Sequence, residues 1–255
     1  QRQMCIRDSV WDELNKRAEG FDVSLKNESR DVAMIAVQGP KAAEILVPLV
    51  EDNKQDEVYN LGYYAATMGK VARTFAIIAR TGYTGEDGFE LIVYNSDAPQ
   101  LWEELLKAGA EYDLKPCGLA ARDSLRLEAG MPLYGNELSR DITPVEAGMA
   151  RAFAKKEADF VGSEVIRQRA AEGPQVAITG LTSTQRRAAR AGAEVFVGDK
   201  KVGTVTSGQP SPTLGHPVAI ALLETSAELE PGAEVEVEIR GKRYPCLLYT
   251  SPSPR

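Results

Sequence analysis

The chain has 255 residues, 43% hydrophobic and 26% charged, a balance ordinary for soluble folded protein and enough for two domains or one large one. Formal net charge is -7, with acidic and basic residues interspersed and no basic block, which argues against nucleic acid as the main ligand. No apolar run is long enough to span a bilayer and no cleavable signal is visible, so no membrane partner is expected. Cys5, Cys117 and Cys246 are too few and too scattered for a disulfide framework or a zinc site, and a reducing cytoplasm is the default expectation.

In chain order, residues 1–9 show no periodicity. Asp8 or Ser9 can then cap a helix whose apolar positions Val10, Trp11, Leu14 and Ala18 share one face, closed by Gly20. Val32 to Val37 reads as a buried strand. Gly39-Pro40 opens a helix with Ala43, Ile45, Leu46, Leu49 and Val50 on its apolar side, Pro40 fitting its first turn. Arg73 to Ala79 and Phe89 to Tyr94 are two more strands, and Ser96 or Asp97 caps a helix with Leu101, Trp102, Leu105 and Leu106 inward. A further helix runs from about Gly118 to Ala129 and stops at Gly130. After Ala150, a helix capped by Ser163, with Val165, Ile166 and Ala170 inward, leads to a linker at Gly173-Pro174. From Gln175 the chain is mostly short strands, with a hairpin turning at Gly198-Asp199 and a strictly alternating Glu234 to Arg240. Strands alternating with amphipathic helices predict an α+β or α/β core.

The most informative stretch is Arg80-Thr81-Gly82-Tyr83-Thr84-Gly85-Glu86-Asp87-Gly88, followed by the strand that carries Glu90. Three glycines in seven residues say that backbone passes close to something there, although a tight turn satisfies the same pattern. Glu90 can accept two parallel hydrogen bonds, or it can be a solvated strand-end carboxylate. Arg122, in a helix rich in Leu and Ala, can engage carbonyl or carboxylate oxygens, or pair with Asp123, Glu128 or a neighbouring segment. Tyr83 offers a flat surface and a hydroxyl beside the glycines, or is simply a packed turn residue. Glu86 and Asp87 read as loop-capping acids. His216, the sole histidine, has no Ser, Cys or metal partner that would make a triad and is read as structural.

Several ordered runs carry a resemblance. They are Val37-Gln38-Gly39-Pro40, the glycine loop, Cys117-Gly118-Leu119-Ala120-Ala121-Arg122-Asp123-Ser124-Leu125-Arg126, and Met131-Pro132-Leu133-Tyr134-Gly135-Asn136-Glu137-Leu138. Further on come Thr143-Pro144-Val145-Glu146-Ala147-Gly148, Asp159-Phe160-Val161-Gly162 and Gly203-Thr204-Val205-Thr206-Ser207-Gly208-Gln209-Pro210-Ser211-Pro212. Together, nearly from Val10 to Pro245, these resemble the aminomethyltransferase, or T protein, family of the glycine cleavage system. The resemblance implies an α+β fold: a folate-binding α/β core followed by a small C-terminal β-barrel. It implies a transferase of glycine catabolism and one-carbon metabolism. Such an enzyme passes the one-carbon unit of an aminomethyl-dihydrolipoyl carrier, the H protein, to tetrahydrofolate with release of ammonia, and needs no metal. The family's pterin-binding glutamate falls on Glu90, its folate-contacting arginine on Arg122, and Tyr83 is expected to stack on or bond to folate. Tyr134, Asn136 and Glu137 are expected to shape the pocket or the route of the lipoyl arm.

The domain expectation is 10–173 for the core and 174–245 for the barrel, both partial. Residues 1–9 and 246–255 are expected to be non-native tails: the first has no periodicity, the second departs abruptly from the family's pattern into a Ser-Pro repeat, and both resemble translated adapter peptides. The family's chain is longer, and its acidic residue that assists folate chemistry falls outside this sequence. No catalytic residue is therefore assigned, the barrel is expected to lack its closing strand, and the fragment is expected to be inactive or nearly so. Two alternatives share the resemblance: the folate-dependent demethylase domain of a sarcosine or dimethylglycine dehydrogenase, and a non-enzymatic folate-binding paralogue. The wording of the Gly-Glu-Asp-Gly and Thr-Pro-Val-Glu-Ala-Gly runs fits the T protein better, and no paralogue cysteine signature is present.

Overall fold

A computed structural model describes residues 2–153 and 156–249. In chain order the elements are α1 (Arg2–Ala18), β1 (Val32–Gln38), α2 (Ala42–Leu46), α3 (Gln55–Tyr59), β2 (Ala66–Val71), β3 (Thr74–Ala79), β4 (Gly88–Tyr94), α4 (Ala98–Gly109), α5 (Leu119–Glu128), α6 (Ala150–Phe153) and α7 (Ser163–Glu172). Six strands follow: β5 (Val176–Thr182), β6 (Glu194–Val197), β7 (Lys200–Pro210), β8 (Pro217–Glu224), β9 (Glu234–Ile239) and β10 (Lys242–Tyr249). Two compact units result, Gln1–Gly82 with Asp87–Lys115, and Tyr83–Glu86 with Pro116–Arg255. Among the described residues no helix is long and apolar enough to cross a membrane.

The first unit is built on a four-stranded antiparallel sheet in the order β1-β4-β3-β2. Alternation along β4 sends Phe89, Leu91 and Val93 into a core with Ile35, Val37, Ile78, Leu46 and Leu101, while Glu90, Ile92 and Tyr94 occupy the other face. Burying each large side chain of this set contributes roughly 1.5–3 kcal/mol. Strand β2 escapes the sequence pattern for a local reason. Its hairpin to β3 turns on Ala72 and Arg73, both left-handed (φ 48° and 71°), where the turn type leads one to expect Gly, Asn or Asp.

Four helix expectations change, the fourth of them in the second unit. Helix α1 begins at Arg2, so Asp8 and Ser9 lie inside it and not at its start; the Arg, Gln and Met of its first turns are good helix formers. Its Val10 and Leu14 are 53% and 48% exposed, not packed. Gly39-Pro40 forms a turn ahead of α2, whose cap is Lys41, and the helix tightens to a 3₁₀ turn at Val47–Leu49. In α4, Leu101 and Leu105 face inward as expected, but Trp102 is exposed.

The second unit contains a closed barrel in the order β10-β5-β8-β7-β6-β9. The expected missing closing strand is present as β10. Lys242–Leu247 pairs with β9 and Leu247–Tyr249 with β5, so no edge is left open. Cys246 and Leu248 point inward while Leu247 and Tyr249 point out, a period-two pattern that Pro245 interrupts in the sequence. The interior holds Leu181, Val195, Val202, Val205, Ala221, Leu223, Val235, Val237 and Leu248. The hairpin at Gly198-Asp199 forms as expected, with Val197 opposite Lys200. Helix α5 is bounded by Gly118 and Gly130, also as expected, whereas α7 is capped by Gly162 and leaves Val165 and Ala170 exposed.

Candidate functional site

Within the first unit, the glycine loop is tied down at its base. Arg80 donates from Nε and Nη2 to Asp87 Oδ1 and Oδ2 at 2.9 and 2.8 Å, and from Nη1 to the carbonyls of Tyr59 and Leu61 at 2.8 and 2.9 Å. The Arg80 hydrogen bonds hold the Asp87 carboxyl below the usual carboxylate range, against the opposing effect of burial. Gln38 Nε2 donates to the carbonyls of Thr81 and Phe89 at 3.1 and 3.2 Å. A Cβ added at Gly82 or Gly88 would run into that Gln38 amide. Within the second unit, Gly85 has φ +80° and a Cβ there would lie 2.6 Å from Ala129 Cβ. A Cβ at each of the three loop glycines would thus meet a neighbour inside the protein, the movable end of Gln38 at two of them and the Ala129 methyl at the third.

Glu90 is half-buried on the open face of the sheet, and its Oε2 accepts from Thr81 Oγ1 at 2.5 Å. Its lateral neighbours in register are Ala36 on β1 and Ala79 on β3. Two methyl groups beside a carboxylate leave it room to meet a planar group. The rings of Tyr63 and Tyr64 lie with centroids 4.2 Å apart, tilted at 48° to one another, and Tyr64 is held at φ 64° with its N–H on the Arg80 carbonyl. The Tyr63 phenol is pushed up, chiefly by burial and then by its hydrogen bond to Tyr64, with the charge of Glu90 a smaller cause. Sequence reasoning singled out none of Thr81, Tyr63 and Tyr64. Paired tyrosines just ahead of a glycine loop were the available signal.

In the second unit, Arg122 and Tyr83 come together, the guanidinium lying 4.6 Å from the ring centroid. Tyr83 donates its hydroxyl to the Pro132 carbonyl at 2.6 Å. Burial pushes its phenol up, Arg126 and Arg122 oppose this, and the hydroxyl stays protonated at neutral pH. The alternative in which Arg122 pairs with Asp123 or Glu128 does not hold. Asp123 is engaged by Arg126 and Gln209, Glu128 by Ser211 and Thr213, and Arg122 makes no ion pair among the described residues. Glu90 belongs to the other compact unit.

The other expected site residues divide. Tyr134 is exposed, Asn136 donates to Ser207 Oγ at 3.1 Å, and Glu137 is buried against Arg126, so the last two brace the fold instead of facing a ligand. In the Thr143-Pro144-Val145-Glu146 run, Glu146 Oε2 accepts from Thr143 N at 2.8 Å and from the Thr143 hydroxyl, and Thr143 Oγ1 accepts from Val145 N at 3.3 Å, which locks the turn. His216 contacts Thr182 Oγ1 at 3.1 Å and keeps its structural reading. Among the described residues no group of three His, Cys, Asp or Glu side chains is arranged to hold a metal.

With this geometry in place, the likeness to known proteins is specific. The GCVT N-terminal domain matches residues 3–157, and the glycine cleavage T-protein C-terminal barrel domain matches residues 177–253. The chain belongs to the glycine cleavage T-protein family. It is 82% identical over 96% of its length to an aminomethyltransferase of Corynebacterium aurimucosum and 49% identical over 95% to one of Streptomyces avermitilis, covering 66% and 65% of those proteins. The crystal structure of glycine cleavage system aminomethyltransferase T from Bartonella henselae superposes with a TM-score of 0.82 at 33% identity, covering 97% of this chain and 66% of that one. The chain therefore spans just under two thirds of the length of these relatives.

Proposed function

We propose that this chain carries the folate-handling part of an aminomethyltransferase of the glycine cleavage system, a transferase of glycine catabolism in a bacterial cytoplasm. The reaction takes the aminomethyl group from the dihydrolipoyl arm of the H protein. Ammonia leaves, and the one-carbon unit passes to tetrahydrofolate as methylenetetrahydrofolate. The relatives' names support this over the demethylase and paralogue alternatives. The observation that carries the reading is chemical: Glu90 and Arg122, which match the family's folate-binding glutamate and arginine, are both free of ion pairs among the described residues.

In this reading Glu90 takes the N–H donors that an amino-pyrimidinone ring presents side by side, a charge-assisted bidentate contact. Thr81 orients the carboxylate by occupying one oxygen. Arg122 takes carbonyl or carboxylate oxygens of the folate, and the Tyr83 ring beneath its guanidinium keeps it extended. These residues bind and orient, so that a one-carbon unit delivered on a swinging arm meets a fixed acceptor. Residues 10–173 and 174–245 are proposed as the two functional modules.

Calorimetric titration of tetrahydrofolate into the wild-type chain, Glu90→Ala and Arg122→Ala tests this. Saturable binding weakened about tenfold or more by each substitution is expected, since hydrogen bonds to charged groups contribute about 1.5–3 kcal/mol. A folded wild type that does not bind, or variants that bind equally well, would overturn it.

A further inference from the structure

One turn beyond Arg122 on α5 stands Arg126, only 1% exposed. Its Nε donates to Asp123 Oδ1 at 2.8 Å, its Nη1 to Met131 O and Glu137 Oε2 at 3.2 Å each, and its Nη2 to Ser207 Oγ at 2.8 Å. Glu137 is fully buried; its Oε2 also accepts from Leu133 N at 2.8 Å, and its Oε1 is without a hydrogen-bond partner among the described residues. Two further points of α5 are tied to β7 and the segment after it. Gln209 Nε2 donates to Asp123 Oδ2 at 2.8 Å, and Ser211 Oγ and Thr213 Oγ1 donate to Glu128 at 2.5 and 2.8 Å.

Stability alone gives little reason for such a helix. A buried ion pair is commonly no better than apolar residues of the same volume, and one carboxylate oxygen here goes unsatisfied. What the pair supplies is direction. Apolar ridges tolerate small rotations of a helix about its axis, whereas a guanidinium with four acceptors does not. Arg122 and Arg126 are four positions apart and share one face, so a rotation of α5 moves both. With side-chain heads some 5–6 Å from the helix axis, a rotation of about 20° carries the Arg122 guanidinium roughly 2 Å, enough to lift it off the Tyr83 ring.

We propose that the Arg126–Glu137 pair, seated on Ser207, is a positioning device that sets the rotation of α5 and so holds Arg122 over Tyr83. Resting on the proposed function, it fixes the arginine that folate meets, without itself touching folate. Arg126 and Glu137 are positioning residues in this arrangement, and their effect on ligand passes through Arg122.

Two readouts separate this from a merely structural brace. The first is ligand-free: in a chain labelled with 15N-arginine, the ring current of Tyr83 shifts the Arg122 side-chain resonance, and that shift is expected to collapse in Glu137→Gln and in the milder Ser207→Ala. The second is a double-mutant cycle by titration of 5-methyltetrahydrofolate as a non-reacting probe. Ser207→Ala or Glu137→Gln is expected to weaken binding about fivefold in the wild-type background and by less than about twofold when Arg122 is already Ala. Loss of thermal stability is expected to be equal in both backgrounds. A ring-current shift that persists in folded variants, or additive losses of affinity, would overturn the positioning role. A wild type that fails to bind the probe while the shift behaves as expected would sink the folate reading and leave the device standing. If Glu137→Gln fails to fold, Ser207→Ala alone decides the matter.

Discussion

Arg126 Nη2 meets Ser207 Oγ at 2.8 Å although 81 residues separate them in the chain. The contact exists because β7 carries an extra residue. The register against β8 runs Val205 opposite Ala221 and then Ser207 opposite Ile220, so Thr206 is bulged out and Ser207, 4% exposed, is turned toward α5. A bulge re-aims one side chain without ending the strand. The Gly203 to Pro212 run is in this light the part of the barrel wall that receives the helix carrying Arg122.

Removing one member of the buried pair leaves the other uncompensated. Arg126→Leu is expected to cost about 3–5 kcal/mol. Adding Glu137→Leu to it is expected to restore a large part of that loss, because the orphaned carboxylate goes too. Urea denaturation of the single and double variants checks this, and a double variant no more stable than the single would refute it.

The loop glycines have internal reasons that can be tested by exchange. Gly88→Ala drives a methyl group into the Gln38 amide and is expected to cost about 1–3 kcal/mol. Gln38→Ala in the same chain removes the obstacle, so the pair should be less than additive. Gly85→Ala meets Ala129 and a left-handed backbone together, and no single change nearby is expected to rescue it. Thermal melts of the four variants, Gly88→Ala, Gln38→Ala, the double and Gly85→Ala, decide.

Asp87 makes the stability pH-dependent with a definite sign. Its folded carboxyl is held below the usual range, chiefly by the Arg80 hydrogen bonds. The contribution is therefore present above the unfolded value of about 3.9 and is lost as pH falls through the folded value. The difference in melting temperature between wild type and Asp87→Asn should be steady above about pH 5 and should shrink below about pH 4. Because Asp87 is partly exposed, the plateau corresponds to about 1 kcal/mol. Scanning calorimetry from pH 7 to 3 measures it, and a difference that grows toward acid would contradict the pairing.

Closure of the barrel is expected to matter more than any surface contact of the second unit. Leu248→Ala, at a position 5% exposed, should cost about 2–4 kcal/mol. A chain ended at Pro245 loses the Leu247–Tyr249 pairing with β5 and should expose amides of β5 to rapid hydrogen exchange. Unchanged protection of β5 in the shortened chain would show that the ring does not depend on β10.

Much of this was legible from one dimension. Alternation in Glu234 to Ile239, the Gly198-Asp199 turn and the glycines bounding α5 depend on neighbours within a few residues, and the structure follows them. The ordered motif runs singled out Glu90, Arg122 and Tyr83 because their wording survives without any knowledge of where they lie. The tertiary structure decided the rest. It closed the barrel through a strand whose pattern Pro245 hides, turned β2 into β3 on two left-handed residues that are not glycine, and showed that the glycine loop answers to Gln38 and Ala129. It also made Arg126, a charged residue between Leu125 and Leu127 to which the sequence assigned no role, a buried anchor. The physical reason is common to all of these. Each depends on a partner distant in sequence, and no local pattern encodes which distant group will fill the space beside a given side chain.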